Sequence, residues 1–191
     1  MELLWKDIRQ MGAEEINHLL KNTTSQRRKR MENIAGEEDR KRTIAGEILA
    51  RQMLGERLGV PAEEVPLQWE EEGKPTVEGN ALYCSISHSG PFVVCAVAET
   101  PIGVDVEVIR GAEEKFIRRT CSDREMEYIH YGDAGCFRRF WECWTAKEAL
   151  FKLTGKGPLL ALSAFELPEH VVLDHTVKNG CTLTVAMDLA R

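Results

Sequence analysis

The sequence has no Cys-x-x-Cys pair, no histidine cluster at zinc spacing, no apolar run long enough to span a membrane and no excess of basic residues. Each absence closes a class of function. Six cysteines (84, 95, 121, 136, 143, 181) without paired spacing argue against zinc ligation, and contexts such as "FVVCAVA" point to buried reduced thiols rather than disulfides. A formal net charge of −6, from 25 basic and 31 acidic residues, argues against generic binding to nucleic acid or an anionic membrane. The opening "MELLWKDIRQ" lacks the features of a secretion signal, so a cytoplasmic protein is expected. What is present is a chain of 191 residues, 43% hydrophobic and 29% charged, long enough for one large domain or two small ones with a proper core.

A first strand is expected around Glu2–Trp5, followed by short helices at "AEEINHLL" and "TSQRRKRMENI". "EEDRKRTIAGEILARQMLGERLG" reads as a longer helix, with acids in its first turn and Gly59 placed to stop it before Pro61. Ile44, Ile48 and Leu58 fall on one side of it. "VPLQWEEEGKPTVEGN" reads as strand then turn. "ALYCSIS", "FVVCAVA" and "IGVDVEV" are strands separated by short turns, for which an antiparallel meander is the natural pairing. Helix then returns: "SDREMEYIH" opens on a capping box from Ser122 to Glu125, and "CFRRFWECWTAKEALFKLTG" runs to Gly155. "LSAFEL", "EHVVLDH" and "CTLTVAMDL" finish as strands. Helices then strands, twice over, predict an α+β protein of two similar halves, 1–101 and 102–191.

Within "GVDVEVIR" (103–110), Val104, Val106 and Val108 share one face of a strand and Asp105 and Glu107 share the other. Two carboxylates side by side repel unless water or a cation separates them. On these eight residues alone a solvated edge strand is the simpler reading, and a divalent metal site the sharper one.

The helix around Trp141 adds a third acid. At about 100° per residue, Phe137, Phe140, Trp141, Trp144 and Phe151 form one apolar stripe, and Glu148 projects within about 40° of its centre. A glutamate there is costly unless something neutralises it. Lys152, one turn on, is one partner. Shared coordination of a cation with Asp105 and Glu107 is the other. Three carboxylates without histidine or thiolate suit Mg²⁺ or Mn²⁺.

"GVDVEV" followed by "WTAKEALFK" resembles the paired signatures of the 4'-phosphopantetheinyl transferases, G-[IV]-D-[IV]-E and W-x-x-K-E-[AS]-x-x-K. "DRKRTIAGEILAR", "EGKP" (72–75) and "SISHSG" (85–90) resemble further segments of the longer, surfactin-synthetase-activating branch, and all lie in the family's order. The resemblance implies two α+β halves related by a pseudo-twofold axis, with coenzyme A in the cleft between them. It also implies a self-contained monomer, whereas shorter relatives carry one half and trimerise. The chain stops soon after "CTLTVAMDLAR", so a C-terminal extension of longer relatives is not expected.

Residue roles follow from that resemblance. Asp105, Glu107 and Glu148 match metal ligands that hold Mg²⁺, or Mn²⁺, against the pyrophosphate of coenzyme A. Lys152 matches the contact to a pyrophosphate oxygen. His88, with Ser87 beside it, matches the contact to the ribose 3'-phosphate or its neighbour. Lys74 matches a phosphate-binding lysine, and Thr43 matches the family's cofactor-binding residue directly. Arg27 and Arg30 stand where a relative carries lysines, and arginine pairs with phosphate through two hydrogen bonds; a solvated basic face is the other reading of "QRRKR". Lys147 is expected at the surface or in an ion pair, and Trp144 in the core. Glu125 assists proton removal in relatives, although its capping box is a sufficient structural reason for it.

The implied reaction moves phosphopantetheine from coenzyme A to a serine hydroxyl of an apo acyl or peptidyl carrier protein, with Asp105, Glu148 and Lys152 as the catalytic set. Glu148, or a metal-bound water near it, is the candidate base. Two other classes are weighed against this: metal-dependent phosphodiester hydrolysis, disfavoured by the acidic balance, and a non-catalytic module that binds coenzyme A or a carrier protein.

Overall fold

The computed structural model describes residues 1–70, 73–79, 82–155 and 169–190, and of residues 25 and 26 the backbone only. The chain packs as two units, Met1–Glu99 and Thr100–Arg191. It is α+β throughout, helices packed on antiparallel sheets.

The first unit runs β1 (Glu2–Asp7), α1 (Ala13–Asn22), α2 (Ser25–Glu32), α3 (Glu37–Leu58), β2 (Leu67–Trp69), β3 (Pro75–Val77), β4 (Tyr83–Ser89) and β5 (Phe92–Ala98). Helix α3 starts on three acids and stops at Gly59, whose φ of 69° is the left-handed cap that glycine adopts without strain. From Ile44 to Gly55 it is buried on almost every side, so the single apolar side of Ile44, Ile48 and Leu58 understates its packing. Strand β5 is the centre of the sheet β1-β5-β4, and Val93 to Val97 are fully buried. The three valines among them contribute about 1.5–3 kcal/mol each when buried. Strands β2 and β3 form a hairpin of their own.

The second unit runs β6 (Ile102–Val108), α4 (Glu114–Thr120), α5 (Asp123–Ile129), α6 (Cys136–Thr154), β7 (Val171–Lys178) and β8 (Cys181–Asp188). Its sheet has the order β6-β8-β7. The expected three-stranded meander therefore fails at its last step. β4 pairs with β5, but β1 occupies the other edge of β5, and β6 pairs with β8 instead. Periodicity gives each strand and not its partner, and a partner 80 residues away in sequence is invisible to turn length. β7 and β8 are joined by Asn179 and Gly180, both left-handed (φ 54° and 74°), the conformation of a two-residue hairpin turn. Helix α4 was not expected from the sequence; its Glu114–Arg118 pair, one turn apart, is the signal it carried. The capping box of Ser122 and Glu125 opens α5. "LSAFEL" lies outside the described residues. All six cysteines are free, and among the described residues no helix is long and apolar enough to cross a membrane.

Candidate active site

Gly103 explains how the acids of β6 come under α6. A Cβ at Gly103 would lie 2.0 Å from the Ala149 carbonyl oxygen and 2.6 Å from the Leu153 amide. The backbone of α6 thus rests on the strand where there is no side chain to hold it off. Glu148 and Lys152 each precede one of those contact residues, so the same approach brings both to the face that carries Asp105.

Asp105 is buried, 5% exposed. This corrects the solvated edge strand: β6 is an edge by hydrogen bonding, yet Val104 and Val106 are fully buried on one face and Asp105 on the other. Lys152 Nζ donates to Asp105 Oδ1 at 2.8 Å and to the Val104 carbonyl at 3.0 Å. Lys152 pairs with Asp105, then, and not with Glu148 as the helix spacing allowed. Glu148 is half-buried, and its carboxyl is pushed up to about 7 by burial first, then by Asp105 and Glu107, with Lys152 opposing. Asp105 and Glu107 thus both act on Glu148 electrostatically.

Nor is Glu148 at the centre of an aromatic stripe. Phe137, Phe140, Trp141 and Trp144 pack with Ile117, Cys121 and Ile129 of α4 and α5, whereas Ala149, Leu150 and Leu153 pack with Val171, Leu173 and Ala186 of the sheet. Helix α6 is buried on several sides, so one angular centre does not describe it. Trp144 joins the first of these clusters as expected. Of the two places expected for Lys147 the ion pair holds: it is buried, donating to the Thr120 carbonyl at 2.6 Å and to Glu125 Oε2 at 2.7 Å. Glu125 holds both that ammonium and the α5 cap.

Among the described residues no three of His, Cys, Asp and Glu close into a ligand set for a metal ion. The donor chemistry of Asp105, Glu107 and Glu148 nonetheless suits a hard divalent cation. It offers oxygen alone, and a cation relieves the repulsion from Asp105 and Glu107 that adds to burial in raising Glu148.

The first unit holds a second constellation. Arg27, Arg30, Arg42, Thr43, Trp69 and His88 line a cavity of about 390 Å³, with Gly46, Gly73 and Ile86 in its walls. Four of the residues expected to bind the cofactor (Arg27, Arg30, Thr43 and His88) meet there. Lys74 is half-buried in the turn after Gly73, and it is not among the residues that line this cavity. Ser87 is buried, and on a strand it points to the face opposite His88. Arg27 also has a structural role. Its guanidinium lies 3.7 Å over the Trp69 ring, and its Nε donates to Glu47 Oε2 at 2.9 Å. Glu47 is fully buried and also accepts from Thr23 and Arg51, each at 3.0 Å. Glu47, Trp69 and Arg42 were missed in the sequence. The Glu47–Arg51 pair at i, i+4 on an apolar helix was the available signal.

Two family descriptions match end to end: "4'-phosphopantetheinyl transferase, N-terminal" over residues 10–100 and "4'-phosphopantetheinyl transferase superfamily" over 101–186. The 4'-phosphopantetheinyl transferase HetI of a Nostoc species is 31% identical over 162 residues, 81% of this chain and 68% of that protein. The chain belongs to the 4'-phosphopantetheinyl transferase superfamily. The tandem match is that of the longer branch expected from the motifs. The 4'-phosphopantetheinyl transferases psf-1 of Bacillus pumilus (35% identical, 66% of this chain) and gsp of Aneurinibacillus migulanus (29%, 78%) are also similar. The matches span 55% and 63% of those two proteins. In transferase terms, the second unit carries the G-V-D-V-E and W-T-A-K-E motifs, and the first carries the basic cavity.

Proposed function

We propose that this chain transfers the 4'-phosphopantetheine group from coenzyme A to a serine hydroxyl of an apo acyl or peptidyl carrier protein, releasing adenosine 3',5'-bisphosphate. The single observation that carries the proposal is the convergence of Asp105, Glu148 and Lys152 where α6 rests on Gly103, in a transferase-family chain.

The serine oxygen forms a bond to the β-phosphorus of coenzyme A, and the bond from that phosphorus to the bridging oxygen breaks. Asp105, Glu107 and Glu148 would hold Mg²⁺ or Mn²⁺. The ion, when bound, neutralises charge on the pyrophosphate oxygens. Lys152, anchored by Asp105 and the Val104 carbonyl, offers an ammonium to the same charge. Glu148 is the candidate to take the serine proton. Arg30, Thr43 and His88 would bind phosphate groups of coenzyme A from the cavity wall, with Arg27 contributing from its Glu47 anchor. Lys74 and Ser87 would act from beside the cavity. The chain would work as a cytoplasmic monomer, with no nucleic-acid partner.

Mass spectrometry of an apo carrier protein incubated with this chain, coenzyme A and Mg²⁺ tests the reading. A mass gain of one phosphopantetheine per carrier is expected. An unmodified carrier, with coenzyme A still bound by calorimetry, would instead mark a non-catalytic binding module.

A further inference from the structure

Strand β8 alternates Cys181, Leu183 and Val185 with Thr182 and Thr184. Such alternation ordinarily marks a strand with one wet face. Here both threonines are buried, at 1% and 0% exposure. They lie on the face of Asp105 and Glu107, because Thr184 is paired across the strands with Asp105 and Thr182 with Glu107. The hydroxyl of Thr184 is satisfied: it sits 2.8 Å from Thr145 Oγ1 of α6 and 2.9 Å from His175 Nδ1 of β7. The hydroxyl of Thr182 has no hydrogen-bond partner among the described residues.

A buried hydroxyl left without a partner is a cost that valine, of the same shape, would not carry. The strand could bury valine there as it does at Val185. What Thr182 has within reach is Glu107. Directly opposed side chains have Cβ atoms roughly 4.5–5.5 Å apart, close enough for a hydroxyl to meet a carboxylate. We infer that Thr182 is a positioning residue: its hydroxyl donates to the Glu107 carboxylate when that carboxylate holds a divalent cation together with Asp105 and Glu148. This inference rests on the function proposed above. Carboxylates that ligate metals are themselves held by hydrogen bonds from outside the ligand set, and loss of such a bond costs about 10–100-fold in affinity. A hydroxyl supplies the bond without adding charge beside Lys152.

The test is Mn²⁺ uptake in the presence of coenzyme A, followed by electron paramagnetic resonance, with melting in EDTA measured alongside. Thr182→Val should bind Mn²⁺ about 10-fold more weakly than the parent, while melting in EDTA at the parent's temperature or above. Thr182→Ser should restore the affinity to within about twofold of the parent. Parent-like Mn²⁺ affinity in Thr182→Val overturns the inference, whatever its melting temperature, and so does a serine variant that fails to restore it. A parent chain that takes up no Mn²⁺ with coenzyme A overturns the proposed function itself, and this role with it.

Discussion

Lys152 reaches from α6 to Asp105 of β6, at 2.8 Å, and leaves Glu148, four residues before it on the same helix, held near 7 by burial and then by the carboxylates around it. The two acids therefore answer differently to loss of charge. Lys152→Met strands a buried carboxylate and should destabilise the metal-free fold by about 2–3 kcal/mol, somewhat below a fully buried pair because Lys152 reaches water. Glu148→Gln relieves repulsion and should melt in EDTA at or above the parent's temperature. Paired thermal melts check both. A Glu148→Gln protein that melted as early as Lys152→Met would restore the Glu148–Lys152 pairing.

The same carboxyl sets a pH dependence. A folded pKa above the unfolded one means that stability is fully present below about 4.5 and is lost as pH rises toward about 7, since the unfolded chain ionises first. In EDTA the parent should lose more melting temperature between pH 4.5 and 7.5 than Glu148→Gln does, by a few degrees. Parallel profiles for the two proteins would contradict this.

Gly103→Ala tests how α6 is seated. The added methyl meets backbone, not a flexible side chain, so the helix must lift or the strand must bend. A loss of at least about 3 kcal/mol is expected in urea melts. A loss below about 1 kcal/mol would mean that the helix does not rest on that glycine.

In the first unit, Glu47→Gln removes the one acid shared by Arg27 and Arg51. A cost of about 3–5 kcal/mol in urea unfolding is expected. Arg30 and His88 line the same cavity. Arg30→Ala and His88→Ala should weaken coenzyme A binding, and His88→Ala should affect coenzyme A more than dephospho-coenzyme A. Calorimetry with both ligands reads this; unchanged affinity for coenzyme A in both variants would remove the cavity from the site.

The sequence carried the elements more clearly than their partners. The period-two run at 103–108 and the helix through Trp141 read correctly because each is a local pattern. The sheet swap at β6 did not, because β8 lies at the far end of the chain. The acids were legible as a motif, but the reason they meet α6 was hidden in Gly103, a residue with no side chain to announce it. Arg27 read as a solvated or phosphate-binding base, and its bond to Glu47 could not be seen without folding α2 onto α3. "CTLTVAMDL" read as a strand, but the alternation of Thr182 and Thr184 with apolar residues did not reveal that both threonines are buried.

Carrier modification compared between the parent and Glu148→Gln, with coenzyme A and Mg²⁺, tests the three-carboxylate site most directly. The parent should add one phosphopantetheine per carrier, and Glu148→Gln, though folded and at least as stable in EDTA, should do so about 100-fold or more slowly. A Glu148→Gln protein that modifies its carrier at a near-normal rate would contradict the site.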